Sequence, residues 1–326
     1  MKSFTAGART LAAFALAAFV GAAAAQQTYP SKPIRFIVAF PPGGSTDLVA
    51  RLVGQKLTAS WAQPVVIDNR PGGNSVIATE AVAKSAPDGH TLLLTTSTLL
   101  INPNLFANLP YNWAQDFAPV TTLVTTEFVL VAHPSVAAKN LQELIALAKS
   151  RPNQLNYGSS SIGGPTHLGA VLFEMLTGAQ LQHIPYKGGS PVLTDLLSGQ
   201  VQLALQVPAS VIAHVRSGKL RAIAISGEAR SRSLPEVPTF AEAGLQGFNA
   251  GNWFGVIVTA GTPKEIINKL ATAIRGVLAT PDIRDKLASQ GMEPLISTPD
   301  QFAAMMRAEA VKFAKIIKAG NIKLAN

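Results

Sequence analysis

The chain has no cysteine in its 326 residues, which excludes disulfides, thiolate metal sites and thiol redox chemistry. Charge is sparse, with 14% Asp, Glu, Lys and Arg, and the 18 acidic residues are outnumbered by 27 basic ones. Aromatic residues make up only 6%. The basic residues stand singly and do not alternate with aromatics, so no nucleic-acid partner is expected; the positive excess instead suits small anions. The five histidines, His90, His133, His167, His183 and His214, show neither H-x-x-x-H nor H-E-x-x-H spacing, so neither a metal nor any other cofactor is expected. A nucleophile elbow is missing too, because Gly158-Ser159-Ser160-Ser161-Ile162 lacks the closing glycine. The pair Gly43-Gly44 is followed by no lysine, which rules out a phosphate loop.

Long apolar runs are confined to the N-terminus. Lys2 and Arg9 precede the run Leu11 to Val20, and the small residues Ala23-Ala24-Ala25 follow. This pattern predicts a secretory signal over residues 1–25, cleaved after Ala25, with no cysteine to take a lipid. The apolar core is too short for a good membrane span. The expected product is an exported, soluble protein of the bacterial periplasm, and loss of Lys2 and Arg9 leaves 25 basic against 18 acidic residues, a net +7. About 300 residues exceed what one core usually supports, so two lobes are expected.

Along the mature chain strand and helix signals alternate, which predicts an α/β protein with parallel sheets. "IRFIVAF" leads to a helix over about 48–58, "PVVID" to one over about 75–84, and "TLLLTT" follows the Asp88-Gly89 turn. The pattern resumes with "FVLVAHP", a helix over 141–150, "LNYGSS", a helix over 166–176, "LQHIPY", a helix over 191–197, "VQLALQ" and "LRAIAIS". The C-terminal part reads as amphipathic helices. Two of them should start on the same device, a capping threonine with proline next and Glu or Gln three residues on: Thr262-Pro263-Lys264-Glu265 and Thr298-Pro299-Asp300-Gln301.

Two stretches share one design. In "FIVAFPPGGSTDLVARL" and in "LNYGSSSIGGPTHLGAVLFEML" an apolar strand meets a glycine- and hydroxyl-rich turn and then a helix. A helix start presents unpaired N–H groups and about half a positive charge, and in parallel sheets ligands gather beyond the carboxyl ends of the strands. Gly43, Gly44, Ser45 and Thr46 therefore form a candidate carboxylate cradle, with Asp47 as a cap or hinge partner; the plainer reading is that Ser45, Thr46 or Asp47 merely caps the helix. The stretch Tyr157 to His167 is a second cradle. "HIPYKGGSP" adds a third glycine turn, where Lys187 supplies a cation and Tyr186 a hydroxyl or a flat wall. Ser97 and Thr98 follow "TLLLTT", and Asn74 reads as part of the Pro71-Gly72-Gly73 turn. One cradle gives two to four charge-assisted hydrogen bonds of about 1.5–3 kcal/mol, too little for the ~8 kcal/mol of micromolar binding once immobilisation is subtracted. Two facing cradles, closing by hinge motion, suffice. The rival reading is a secreted hydrolase, using Ser159, Ser160 or Ser161 with His167 as base.

The motifs "YPSKPIRFIVAFPPGGSTD", "VVIDNRPGGNSVIATEAVAKSAPDGHTLLL", "YGSSSIGGPTHL", "HIPYKGGSPVLTDLLSGQVQLAL", "LPEVPTFAEAGLQGF" and "NWFGVIVTAGTP" occur in order over essentially the whole mature chain. In this the sequence resembles the Bug-type extracytoplasmic solute receptors of tripartite tricarboxylate transport systems. The resemblance implies a two-domain Venus-flytrap receptor of the type II periplasmic class, with two crossovers between lobes: residues 26–126 plus 251–326 as one domain, 127–250 as the other. It implies a non-catalytic monomer that delivers a small carboxylate to membrane permease subunits; a receptor presenting its ligand to a membrane sensor would look alike. Carried over by motif, Gly43, Gly44, Ser45 and Thr46 face Ser159, Ser160, Gly163 and Thr166. Many relatives have an acidic residue where this chain has Gln206. A neutral amide offers no counter-charge to an amino group, which favours a plain carboxylic acid. Phe40, Trp253 and Phe254 would either wall an apolar ligand or belong to the core.

Overall fold

A computed structural model describes residues 29–323; the leader expected over residues 1–25 lies outside them. The strands are β1 (Ile34–Val38), β2 (Val65–Asn69), β3 (Thr91–Thr96), β4 (Phe117–Glu127), β5 (Val129–Ala132), β6 (Asn156–Ser159), β7 (Gln182–Pro185), β8 (Leu203–Gln206), β9 (Arg221–Ile225), β10 (Gly251–Thr259) and β11 (Met292–Pro294). The helices are α1 (Ser45–Trp61), α2 (Val76–Ala83), α3 (Thr98–Ile101), α4 (Leu141–Ser150), α5 (Pro165–Thr177), α6 (Gly189–Leu197), α7 (Pro208–Arg216), α8 (Lys264–Leu278), α9 (Pro281–Ser289) and α10 (Pro299–Ala319). None of the described helices is long and apolar enough to cross a membrane.

Two sheets form, in the orders β11-β4-β10-β3-β1-β2 and β7-β6-β8-β5-β9. Each has a parallel part, β3-β1-β2 and β7-β6-β8. Neither is wholly parallel, contrary to the expectation from alternating signals. β10 runs antiparallel between β3 and β4, and β5 runs antiparallel between β8 and β9. β4 escapes a search for apolar runs because its middle is threonine-rich, "FAPVTTLVTTE". Thr121 and Thr122 are fully buried there. Their hydroxyls are satisfied by the segment after β11: Thr121 Oγ1 donates to the Ser297 carbonyl at 2.8 Å and Thr122 Oγ1 meets Ser297 Oγ at 2.9 Å. A β-branched residue whose hydroxyl is paired sits in a buried strand without penalty.

Each sheet has its own apolar core. α1 lays Val49, Leu52, Val53 and Leu57 on the first sheet, at helical spacing, and stops at Ala62 in the left-handed region, φ 53°. α4 and α5 cover the second sheet, with Leu141, Leu144 and Ala148 from one and Ala170 and Phe173 from the other. α10 begins on the expected capping box, Thr298 with Gln301. The matching device at α8 is absent: Pro263 takes the cap position, and Thr262 Oγ1 instead donates back to the Thr259 carbonyl at 2.8 Å. Proline is accepted both at the cap, as Pro263 is, and at the first helical position, as Pro299 is, so the local sequence does not separate them.

α10 belongs to both lobes. Its Phe302, Phe313, Ile316 and Ile317 share one buried cluster with Ile37 and Leu93 of the first sheet and with Leu168 and Val171 of α5. Phe302 is seated on Gly255 of β10, where a β-carbon would lie 2.8 Å from Phe302 Cε1. Real side chains do not tolerate that spacing. Gly255→Val should therefore lower stability by about 1–3 kcal/mol. Urea unfolding of the pair Gly255→Val with Phe302→Leu should give a combined loss smaller than the sum of the two single losses, since the neighbours are coupled.

Candidate functional site

Only Phe128 separates β4, which ends at Glu127, from β5, which begins at Val129. Glu127 pairs with Gly251, and Val129 pairs with both Gln206 and Ile225. The edge of the first sheet where β1, β2 and β3 end is thus joined directly to the edge of the second where β6, β7, β8 and β9 end. The joint itself is packed: Phe128 is 4% exposed and its N–H donates to Ser226 Oγ at 2.8 Å. Leu105, after α3, covers Gly163 in the opposite lobe, lying where a β-carbon of Gly163 would be. The two edges therefore face one another.

On the first edge, Gly44 is the N-cap of α1, and no side chain caps that helix. The N–H groups of Ser45 and Thr46 meet no acceptor among the described residues. Gly43, Gly44 and Ser45 are exposed, whereas Thr46 is buried. Gly43 turns the chain at φ +85°, a conformation open to glycine at no steric cost. Asp47 organises this turn from inside. Its carboxylate accepts from the Gly43 N–H at 2.9 Å, Arg51 Nε at 2.9 Å and Asn69 Nδ2 at 3.0 Å. The Arg51 hydrogen bond comes first among the forces that hold Asp47 down at about 2. Its charge is therefore neutralised locally and turned away from the helix start.

On the second edge, Gly164 is the N-cap of α5, again without a side-chain cap, and Pro165 follows with no N–H. The N–H groups of Ser161, Ile162 and Thr166 have no acceptor among the described residues. Thr166 Oγ1 accepts from the Ser160 N–H at 3.1 Å and shares a proton with Ser160 Oγ at 3.0 Å, so this pair offers a hydroxyl at the turn. Ser159 faces elsewhere. It is 1% exposed, its hydroxyl donates to the Ser161 carbonyl at 3.1 Å, and His183 Nε2 lies 2.6 Å from it.

The remaining candidates divide the same way. Tyr186 turns its hydroxyl away, donating to Asp195 at 2.7 Å. Lys187 is exposed beside Gly188, and Gly188 donates to the Ser160 carbonyl at 2.8 Å, which ties the third turn to the second cradle. Gln206 is 6% exposed, its Oε1 lies 3.5 Å from where a Gly189 β-carbon would be, and its amide bonds no described residue. Ser97 is fully buried and bound through Oγ to Asn252 Oδ1 at 2.9 Å. Asn74 is locked to Asn102 by reciprocal bonds of 2.7 and 2.9 Å within a left-handed run, with φ +51° at Asn74 and +70° at Ser75, as fits a turn residue. Trp253 and Phe254 are 5% and 2% exposed and belong to the core; Phe40 is half-buried.

Sequence reasoning missed three participants: Asn252, Leu105 and His183. Asn252 lies in a strand that was not recognised, and Leu105 acts only through a tertiary contact. His183 was visible in "LQHIPY", but its link to Ser159 spans two strands, a register that single-sequence patterns do not carry. His183 also stacks on His167 at 3.8 Å and 16°, and on Tyr157 at 4.9 Å. Burial pulls His167 down to about 3, helped by His183, and pulls His183 down to about 4. At the joint, burial pushes Glu127 up to about 7, with Glu293 adding to it.

A family model described as the tripartite tricarboxylate transporter family receptor matches residues 49–322. Protein BugT of Bordetella pertussis is 40% identical over 313 residues, covering 95% of this chain and 96% of that protein. Among solved structures, R. palustris Rpa4515 with adipate matches with a TM-score of 0.79 at 33% identity, over 91% of this chain and 100% of that one. MatC from Rhodopseudomonas palustris with bound malate matches with a TM-score of 0.75 at 30% identity, over 89% and 100%.

Two titrations follow. Histidines held neutral below their ordinary value of about 6.5 favour the fold fully above that pH and progressively less on acidification towards 4. The urea midpoint should fall from pH 6.5 to pH 4, and less steeply in the His167→Asn, His183→Gln double variant. Glu127 has the opposite sign: its folded value is raised, so stability declines as pH climbs from about 4.5 through 7. Glu127→Gln should therefore melt higher than the parent at pH 8 and equal it near pH 4.5.

Proposed function

This chain belongs to the tripartite tricarboxylate transporter receptor family, and we propose that it captures a small organic carboxylate between its two lobes in the periplasm and delivers it to the membrane subunits of such a transporter. The observation that carries this reading is the pair of uncapped helix starts, α1 and α5, on sheet edges that face across a one-residue joint. Each presents backbone N–H donors without an acceptor among the described residues, and a small anion such as a carboxylate satisfies them. The ligand-bound relatives agree in chemistry, since Rpa4515 was solved with adipate and MatC with malate. The signal-like N-terminus agrees in compartment.

In this reading residues 26–126 with 251–326, and residues 127–250, close as two bodies about Phe128 and the second crossing before Gly251. Gly43, Gly44, Ser45 and Thr46 take one carboxylate end. Ser160, the Gly163 turn and Thr166 meet the ligand from the other lobe, with Lys187 and the Gln206 amide beside them. Ser159, Tyr186 and Ser97 shape the cleft from behind, because their hydroxyls are bound within the protein. Gln206, neutral and without a described partner, favours plain acids over amino acids at its end of the cleft.

The hydrolase reading has little to stand on. Ser159 is buried, Ser160 Oγ pairs with Thr166 Oγ1 at 3.0 Å, and His167 uses Nδ1 to accept from the Gly163 N–H at 2.9 Å, bonding none of Ser159, Ser160 and Ser161 among the described residues. A triad needs the nucleophile exposed to substrate and the base within reach of it.

Calorimetry of the monomer against malate, adipate, succinate, citrate, glutamate and benzoate tests the proposal. One or more plain acids should bind one per chain and be recovered unchanged, and Ser160→Ala with Thr166→Val should weaken that binding by about tenfold. Conversion of any acid, or no binding across the panel, would overturn the reading.

A further inference from the structure

Behind the second cradle lies a column of three rings. Tyr157 of β6, His183 of β7 and His167 of α5 stack at centroid distances of 4.9 and 3.8 Å. Tyr157 and His167 are buried and His183 is half-buried. Each imidazole makes one polar contact with the turn itself. His167 Nδ1 lies 2.9 Å from the Gly163 nitrogen, and because an amide only donates, that ring nitrogen is the acceptor and the ring proton sits on Nε2. Ser159 donates to the Ser161 carbonyl, so its oxygen is left to accept from His183 Nε2–H. Both histidines are thereby fixed as the Nε2–H tautomer.

We propose that His167 and His183 are positioning residues that set the second cradle: His167 holds the Gly163 amide inward, and His183 braces both the His167 ring and Ser159. This rests on the carboxylate-receptor reading for its functional meaning. The geometry gives each contact a purpose. With Gly163 N–H turned inward, the neighbouring N–H groups of Ser161 and Ile162, and that of Thr166, are left without acceptors among the described residues. Gly163 itself adopts φ +70° and lacks the β-carbon that would collide with Leu105 of the other lobe. The residue that His167 grips is thus the one on which the lobes touch.

The device requires uncharged rings. An imidazolium at His167 would set a proton on Nδ1 against the Gly163 proton, and its neighbour on the other face is a second imidazole. Among the described residues no carboxylate pairs with either ring: Glu174 on α5 accepts from the Leu181 N–H at 2.7 Å, and Asp195 on α6 accepts from Tyr186 at 2.7 Å. Lys187, in the turn after β7, carries the same sign as an imidazolium. The cradle is consequently built from fixed dipoles, and its affinity for an anion should not track histidine titration near neutrality.

The test uses the full chain, isotopically labelled, together with His167→Asn and His167→Ala. Asparagine can present Oδ1 near the position of Nδ1 without titrating. Imidazole nitrogen resonances should show both rings as Nε2–H at pH 7, and the Gly163 amide proton should move strongly in His167→Ala and little in His167→Asn. Calorimetry with malate and adipate should show flat affinity from pH 8 to pH 6, the range over which an ordinary imidazole titrates and both diacids stay ionised, about a tenfold loss in His167→Ala, and a loss within about threefold in His167→Asn. A Gly163 amide indifferent to His167→Ala, a charged ring at pH 7, or equal losses in the two variants would overturn the assignment. If the resonances behave as expected while wild-type protein binds neither acid nor any other of the panel, the positioning stands and the receptor reading falls.

Discussion

A peptide N–H taken from water must be given an acceptor, and the first turn of a helix has no acceptor of its own. In this protein the two helices that begin on the facing sheet edges start at Gly44 and Gly164, residues without a side chain to supply one. The rest of the architecture follows from leaving those donors open. The two sheet edges must face, the turns must be rigid enough to keep the donors aligned, and acidic groups nearby must be occupied elsewhere. Asp47 shows the last requirement most clearly, because it sits one turn into α1 and is bound by Gly43, Arg51 and Asn69.

The two lobes reach the same end by different chemistry. The first cradle is stabilised by a charged network, with a carboxylate gathering three donors beneath the glycine turn. The second is stabilised by neutral aromatic stacking, with imidazole nitrogens in place of the carboxylate. An ion gathered by hydrogen bonds tolerates the half-exposed setting of α1, where Arg51 reaches solvent. A stack of uncharged rings suits the more buried setting of β6 and the start of α5, where an unpaired charge would be costly to desolvate. The uncapped donors stay at the surface of each arrangement, and the groups that hold the turns lie one layer deeper.

Much of this was legible in the sequence, and what was legible followed local rules. Parallel strands appear as apolar runs, as in "IRFIV", and helices as 3.6-residue stripes, one of them begun by Thr298. Both glycine-rich turns were found because their composition is itself the signal. What stayed hidden depended on partners distant in the chain. β4 hides its apolar content behind threonines whose hydroxyls are paired only once residues 295–297 fold against them. Ser159 looks like any hydroxyl in a serine run, and only the register of β6 beside β7 shows that it belongs to His183. Thr262 and Thr298 share a motif, yet only Thr298 caps: Thr262 Oγ1 donates back to the Thr259 carbonyl, and its helix starts one residue later, with Pro263 at the cap position.

The single residue between β4 and β5 has a mechanical meaning. Backbone ladders hold the chain up to Glu127 and again from Val129, so compliance at this crossing is confined to the soft torsions around Phe128, whose own N–H is pinned to Ser226. A joint that short cannot slide. At this crossing the one sheet can move against the other only by rotation, so any change of spacing there is expressed as an angle.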